Sequence, residues 1–419
     1  MADQSVAARV GRACALAVLM MLVALPAMAL DRRRAQFQTE PSYLILPFPY
    51  SLPGIGDGIA WTGLLGNAFG THADAYGIII TGDASGQIIG VQEIHLLPEL
   101  LILDVNYQNI NRAVVNSYQT RGMDSSGDDY KLIEVNQADY TSGELRLTLF
   151  ERRFELAIGA ETVKTAVVSI RDADGNLIQE LAEPYRQESS SRSLRTLIDY
   201  TDDFEDPRRG VRFGVRVSES PPKSTDDPDY RVWDYALNGY IPIGRISTLL
   251  LSYFQSDAQV LRPGNTDPAA IKADLGLNCA PTDTACLDAE AQLVQEQIDG
   301  RSHGTSTSLG GENRLRAYPG GRYSGAHTVF VGTEFRWNLT EEVTPFDYFI
   351  WKDVRTNIQI AFFAETGSVG ETRDEVGDIW RSAYGVGLRM VSASGFVYRA
   401  DVATGHEGTE VSVIFGYPY

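Results

Sequence analysis

Charged residues recur at every second position inside otherwise apolar runs of this chain: Arg212 and Arg216, Glu334 and Arg336, Glu365, Arg389, and Arg399 with Asp401. Guanidinium and carboxylate groups set into a shared interior do one kind of chemistry well. They form short, charge-assisted pairs that hold one segment against another. Bond-making machinery is not signalled. There is no Gly-x-Ser-x-Gly elbow, phosphate-binding loop or His-Glu-x-x-His, and the glycines of Gly54-Ile-Gly-Asp-Gly58 read as the start of a strand. His72, His95, His303, His327 and His406 are scattered, with no His-x-His and no second cysteine pair, so neither a metal nor another cofactor is expected. Cys279 and Cys286 stand close together in a polar stretch, where an exported chain forms a disulfide across a small loop.

The elements that must carry these charges are strands. Val211, Phe213, Val215 and Val217 alternate with Arg212, Gly214 and Arg216; Val329, Val331, Phe335, Trp337 and Leu339 alternate with Phe330, Gly332, Glu334, Arg336 and Asn338. Ile358, Ile360, Phe362 and Ala364, then Tyr384, Val386, Leu388 and Met390, then Tyr398, Ala400 and Val402, repeat the pattern. Successive strand side chains point to opposite faces, so each run has one greasy face and one polar face. The end of the chain does the same: Val411, Val413, Phe415, Tyr417 and Tyr419 share a face, which reads as the lipid stripe of a closing strand with tyrosines at the interface. An edge strand of a soluble sheet has the same pattern. Tight turns at Asp83–Gly86, Pro242–Arg245 and Ser392–Gly395 join short runs, and longer polar connections alternate with them. The expected fold is an all-β, antiparallel transmembrane barrel of about sixteen strands, with Tyr107–Gly127 ambiguous.

Composition agrees with a barrel: hydrophobic residues make up 43% of the chain, and no long apolar run follows Leu30. The net charge of −19 argues against nucleic acid as a partner. Acidic stretches at Asp124–Asp129, Asp202–Asp206 and Asp226–Asp229 read as solvated loops. Arg9 and Arg12 before the apolar run Ala13–Leu25, then Pro26-Ala27-Met28-Ala29, read as a signal peptide over residues 1–29. Residues 30–53, with Arg32-Arg33-Arg34 and Tyr43–Tyr50, are expected to be a short N-terminal periplasmic plug, tail or docking segment; the barrel would occupy 54–419.

One connection, about residues 257–328, is far longer than the rest and holds a helical pattern from Thr284 to Asp299. Near its end stands Leu309-Gly310-Gly311-Glu312-Asn313-Arg314-Leu315-Arg316-Ala317-Tyr318. This resembles the loop signature of the Omp85 superfamily, the BamA/TamA-like outer-membrane insertases and bacterial surface antigen D15 proteins, in which a glycine pair precedes Val/Leu-Arg-Gly-Phe/Tyr on the sixth loop. Ala317 replaces the glycine. Phe363-Ala364-Glu365-Thr366-Gly367 resembles the family's Phe-x-Asp-x-Gly, with Glu for Asp, and Thr201–Gly210 resembles its Asp-rich turn before a mid-barrel strand.

The resemblance implies that the sixth loop folds into the lumen and that Arg316 meets an acidic wall. Glu365 shares a face with Phe363 and Gly367 and is the first candidate, with Glu334 on the neighbouring strand the second. It further implies insertion or translocation of protein or lipid at the bacterial outer membrane, without the POTRA modules of the insertases. The partners expected are the bilayer, unfolded outer-membrane or lipid clients, and a periplasmic or envelope protein. A passive channel, or a structural barrel with a partner-binding loop, is the alternative.

Overall fold

The computed structural model describes residue 37 and residues 41–419, other than 119, 275–281, 283, 341–345, 349–350, 355 and 393–396. Its strands, in chain order, are β1 Ser42–Leu52, β2 Gly56–Gly66, β3 Asp74–Gly82, β4 Ser85–Leu97, β5 Leu101–Tyr118 and β6 Tyr130–Leu149. They continue as β7 Phe154–Arg171, β8 Leu177–Thr201, β9 Gly210–Glu219, β10 Asp229–Ile243, β11 Ser247–Arg262 and β12 His327–Asn338. A small hairpin follows, β13 Phe346–Tyr348 and β14 Trp351–Val354, and then β15 Thr356–Gly370, β16 Arg381–Ser392, β17 Val397–Gly405 and β18 Gly408–Phe415. All but the hairpin join in one closed antiparallel barrel of sixteen strands, each beside its sequence neighbour, with β1 meeting β18.

Alternation sorts the two faces. Tyr384, Val386 and Leu388 are exposed on the outside while Arg389, the residue after Leu388, is fully buried inside; Val331 and Trp337 face out where Phe330, Glu334 and Arg336 face in. Antiparallel order puts the start of β1 and the end of β18 at one rim, here the terminal end, and the β11–β12 connection at the other, the loop end. Strands of about 10 residues suffice to cross a hydrocarbon layer. β5, β6, β7 and β8 run 18, 20, 18 and 25 residues, so this part of the wall stands above the rest. The stretch Tyr107–Gly127 resolves into the upper part of β5 and the loop after it.

The long connection lies between β11 and β12, the sixth at the loop end, and carries α1 Pro268–Asp274 and α2 Thr284–His303. The helix expected over Thr284–Asp299 thus continues to His303. The expected signal peptide and Cys279 lie outside the described residues. Cys286 falls in α2, its side chain likewise outside them, so the expected disulfide lies outside the described residues.

Three expectations are corrected. Residues 42–52 are not a segment ahead of the barrel: they are β1, paired with β2 from Ser42↔Gly66 to Leu52↔Gly56. Pro47 and Pro49 disguise the strand, and a strand with one unpaired edge tolerates them. Tyr417 and Tyr419 are not on the lipid face with Phe415. β18 ends at Phe415, Gly416 takes φ 88°, and the last residues turn into the lumen. The acidic stretch Asp202–Asp206 is not uniformly solvated either, because Asp203 and Asp206 are each 1% exposed.

Candidate functional site

The long loop returns to the barrel at Gly304, where φ is 73°. Thr307 anchors the descent: its N–H donates to Ser256 Oγ at 2.9 Å and its hydroxyl to Asp234 Oδ1 at 2.9 Å. Leu309 and Tyr323 then pair through their backbones (2.9 and 3.1 Å), closing a neck below which the chain makes a tight tip. Gly310 and Gly311 have φ of 103° and 93°, and a Cβ on Gly310 would lie 2.1 Å from the Pro319 carbonyl oxygen. Leu309, Leu315, Ala317, Tyr318 and Tyr323 pack as one buried cluster with Phe330, Phe363, Ala383 and Ala403 of the wall. The wall is hollowed to admit them: a Cβ on Gly367 would meet Leu309 Cδ1 at 2.6 Å. The positive φ of the tip falls on Leu315 (55°) and not on Ala317, so alanine there carries no left-handed strain.

Apolar packing brings Arg316 to the middle of the wall's charged face, where its side chain is wholly buried. Its backbone N–H and Nε donate to the two oxygens of Glu365 at 2.9 and 2.7 Å. Nη1 donates to Glu334 Oε2 at 3.2 Å and Asp401 Oδ2 at 2.9 Å, and Nη2 to Glu334 Oε2 at 3.2 Å and the Tyr419 hydroxyl at 3.1 Å. Phe363 lies under the guanidinium, 3.4 Å from its carbon to the ring centre, a cation–π contact in a dry setting. The wall carboxylates are shared. Arg389 binds Glu334 at 2.6 Å and Asp401 at 3.0 Å, Arg336 binds Glu334 at 2.8 Å, and Arg399 binds Asp401 at 2.6 Å. Four guanidiniums therefore surround three carboxylates. Such a cluster fixes position, since each charge needs all its neighbours to offset desolvation.

The structure thus places Glu365, Glu334, Phe363 and Gly367 around the long-loop tip. Asp401, Arg389 and Arg399 were legible as inner-face charges but not as members of this cluster, because pairing across β12, β15, β16 and β17 depends on strand register. Tyr419, expected on the lipid-facing stripe, is a member of the cluster instead.

Further clamps sit at the loop end. Arg322 pairs bidentately with Glu407 of the β17–β18 turn (2.6 and 2.8 Å) and donates to Ser125 Oγ and carbonyl O, each at 2.7 Å. Arg121 pairs bidentately with Glu371 (2.7 and 2.8 Å) and donates to Gly304 O at 2.7 Å. At the terminal end the β8–β9 turn folds inward. Asp206 meets Gln359 Nε2 at 3.1 Å and the Tyr417 hydroxyl at 2.7 Å, and Phe204 stacks under Arg152 at 3.9 Å. Between β3 and β9 the lumen keeps a polar cavity of about 310 Å³, bordered by Tyr76, Asp104, Tyr140, Glu144, Arg195 and Arg216.

The β1–β18 seam is the weak part of the wall. Neighbouring ladders run the length of their strands, β17–β18 from Tyr398↔Phe415 to Gly405↔Gly408, but β1 and β18 register only at Ser51↔Val413 among the described residues. Side chains bridge the remainder: Ser51 Oγ donates to Val411 O at 3.0 Å, Tyr398 hydroxyl to Pro49 O at 2.6 Å, and the Phe48, Tyr398 and Phe415 rings cluster at 4.7–5.4 Å.

This architecture has a counterpart among solved structures. CdiB from Escherichia coli matches with a TM-score of 0.50 at 12% identity, over 91% of this chain and 68% of that one. The likeness is one of fold. BamA from Haemophilus ducreyi lacking POTRA domains 1–3 aligns with a TM-score of 0.48 at 12% identity, over 92% of this chain and 76% of that one. CdiB from Acinetobacter baumannii aligns with a TM-score of 0.45 at 10% identity, over 88% of this chain, which spans 59% of that protein's length. No protein-family model and no curated protein matches the chain.

Proposed function

We propose that this chain is a bacterial outer-membrane barrel of the Omp85 type that inserts or translocates protein, or lipid, by opening the β1–β18 seam while the long loop stays in the lumen. One observation carries the reading: among the described residues the ladder is cut to Ser51↔Val413 at the seam, whereas the β17–β18 and β1–β2 ladders beside it run the length of the strands. An underpaired β1 edge offers backbone donors and acceptors on which an incoming strand can add. The outward apolar face formed by Tyr43, Ile45, Trp61, Phe362, Val386 and Leu388 supports a lipid surround. Arg316, tied to β12, β15 and β17, braces the wall next to β18, so that the seam yields before the rest of the cylinder. No cofactor enters this scheme.

The test is the rate at which liposomes holding the folded chain assemble an added, unfolded outer-membrane barrel. Acceleration over empty liposomes that is lost on cross-linking Ser51→Cys to Val413→Cys supports insertion through the seam. No acceleration refutes it. Conductance that rises on deleting Arg314–Tyr323, without any assembly activity, would make the chain a gated channel instead.

A further inference from the structure

The short seam and the inward tail have one cause on β1. With Ser51 opposite Val413, a continued antiparallel ladder would set Pro49 against Phe415 and Pro47 against Tyr417. The Pro49 carbonyl oxygen accepts the hydroxyl of Tyr398, a residue of β17 beyond β18, so that oxygen faces the seam. In a strand the nitrogen and oxygen of one residue point to the same edge, and the edge repeats every two residues. Pro47 and Pro49 therefore both turn toward β18 a nitrogen with no hydrogen to give. The ladder stops where the first proline stands. Released from β1, the chain bends at Gly416, whose N–H donates to Val397 O at 2.8 Å and whose carbonyl accepts Arg399 Nε at 2.8 Å.

The freed residues then contact both closures of the lumen. The Tyr417 hydroxyl donates to Asp206 of the β8–β9 turn at 2.7 Å, with its ring stacked on Arg336 at 3.9 Å. The Tyr419 hydroxyl accepts from Arg316 Nη2 at 3.1 Å and lies 3.3 Å from Glu365 Oε1. We infer that Tyr417–Tyr419 is a latch: it holds the long-loop tip and the β8–β9 turn in the lumen, and Pro47 and Pro49 keep it there by denying it a place on β1. The same residues cannot both line the lumen and extend β18 along β1. Whatever draws the tail into the seam takes one hydrogen bond from Arg316 and one from Asp206 together. For its consequence this rests on the seam reading above, as the regulation of that seam; its test involves no client and stands or falls separately.

The probe is a thiol at the tip, Ala317→Cys, in a chain whose native cysteines are replaced by serine, folded in liposomes and labelled with a maleimide. Ala317 is 2% exposed, so labelling reports withdrawal of the tip. Tyr419→Phe removes one hydrogen-bonding group without changing the ring and should speed labelling about five-fold, the effect of one lost buried hydrogen bond. Pro47→Val with Pro49→Val restores two seam donors while leaving the lumen untouched, and should speed labelling at least as much. Gel mobility of the unheated barrel checks that each variant is folded. Labelling unchanged in Tyr419→Phe, or unchanged in the proline pair, overturns the latch.

Discussion

Arg316→Ala is the most informative perturbation, because the charge count predicts where its cost falls. Removing this guanidinium leaves Arg336, Arg389 and Arg399 against Glu334, Glu365 and Asp401. Glu334 keeps Arg336 at 2.8 Å and Arg389 at 2.6 Å, and Asp401 keeps Arg389 at 3.0 Å and Arg399 at 2.6 Å. Glu365 keeps no guanidinium, since its ion pair among the described residues is with Arg316. Stranding a buried carboxylate costs about 3–5 kcal/mol. Glu365→Gln made in the same chain neutralises the stranded group, so the double variant should recover a large part of the loss, with a coupling of about 2 kcal/mol or more. The assay is urea unfolding of the barrel in phospholipid vesicles, followed by the fraction that keeps folded mobility without heating, for all four members of the cycle. Effects that add to within about 0.5 kcal/mol would refute the argument that Glu365 depends on Arg316 alone. Arg316→Lys should not rescue, because one ammonium cannot reach Glu365, Glu334 and Asp401 at once.

Three other outcomes follow. Gly367→Val should cost about 1–3 kcal/mol by driving a side chain into Leu309, whose Cδ1 lies 2.6 Å from the new Cβ, and should raise tryptic cleavage at the tip in vesicles; an unchanged urea midpoint would count against the packing. Glu407→Gln weakens the bidentate hold on Arg322 and should speed proteolysis of the long loop without moving the urea midpoint by more than about 1 kcal/mol, as that carboxylate lies at the rim. In the β15–β16 loop, burial would raise the carboxyl of Glu375, but N–H donors from Glu371 at 2.9 Å and Thr372 at 3.2 Å outweigh it and hold it below the ordinary range. A lowered carboxyl stabilises the loop above the unfolded value of about 4.3 and loses that contribution as pH falls through the folded one. The Thr372 amide resonance should accordingly titrate below the usual carboxylate midpoint, and the transition should vanish in Glu375→Gln.

The wall was legible because a strand in a barrel has no freedom to disobey period two: a charge on the lipid side is expensive, so Glu334, Arg336, Glu365 and Arg389 announce the inner face by themselves. Gly310, Gly311 and Arg316 were legible for a different reason, their resemblance to the sixth-loop signature of a known family of barrels. What failed shows where local pattern ends. Pro47 and Pro49 hid β1, since proline is read as a strand breaker unless the edge it faces is known to be unpaired. The alternation through Tyr417 and Tyr419 continued in sequence after the strand had stopped in space, and Gly416 was the one local sign of the bend. Asp203 and Asp206 read as solvated because composition does not show that Arg212, Gln359 and Tyr417 converge on their turn.

The cluster around Arg316 is better explained by register than by stability. Buried ion pairs gain little over apolar packing of the same volume, so four guanidiniums are a costly way to hold a loop. They are an effective way to hold it at one depth. Arg314, two residues earlier on the same tip, is stacked over Phe254 of β11 at 3.6 Å, and its Nε has no hydrogen-bond partner among the described residues. Apolar packing alone would accept a small slip of the tip along its groove. A slip that brought Arg314 toward Glu365 would forfeit the backbone N–H of Arg316 on Glu365, the shared contacts with Glu334 and Asp401, and the Tyr419 hydroxyl. Those acceptors come from β12, β15, β17 and the tail, so a single position of the loop satisfies all of them. The same contacts make the wall sense the loop: with the tip withdrawn, the wall keeps three arginines against three carboxylates, but Glu365 faces the lumen without a cation.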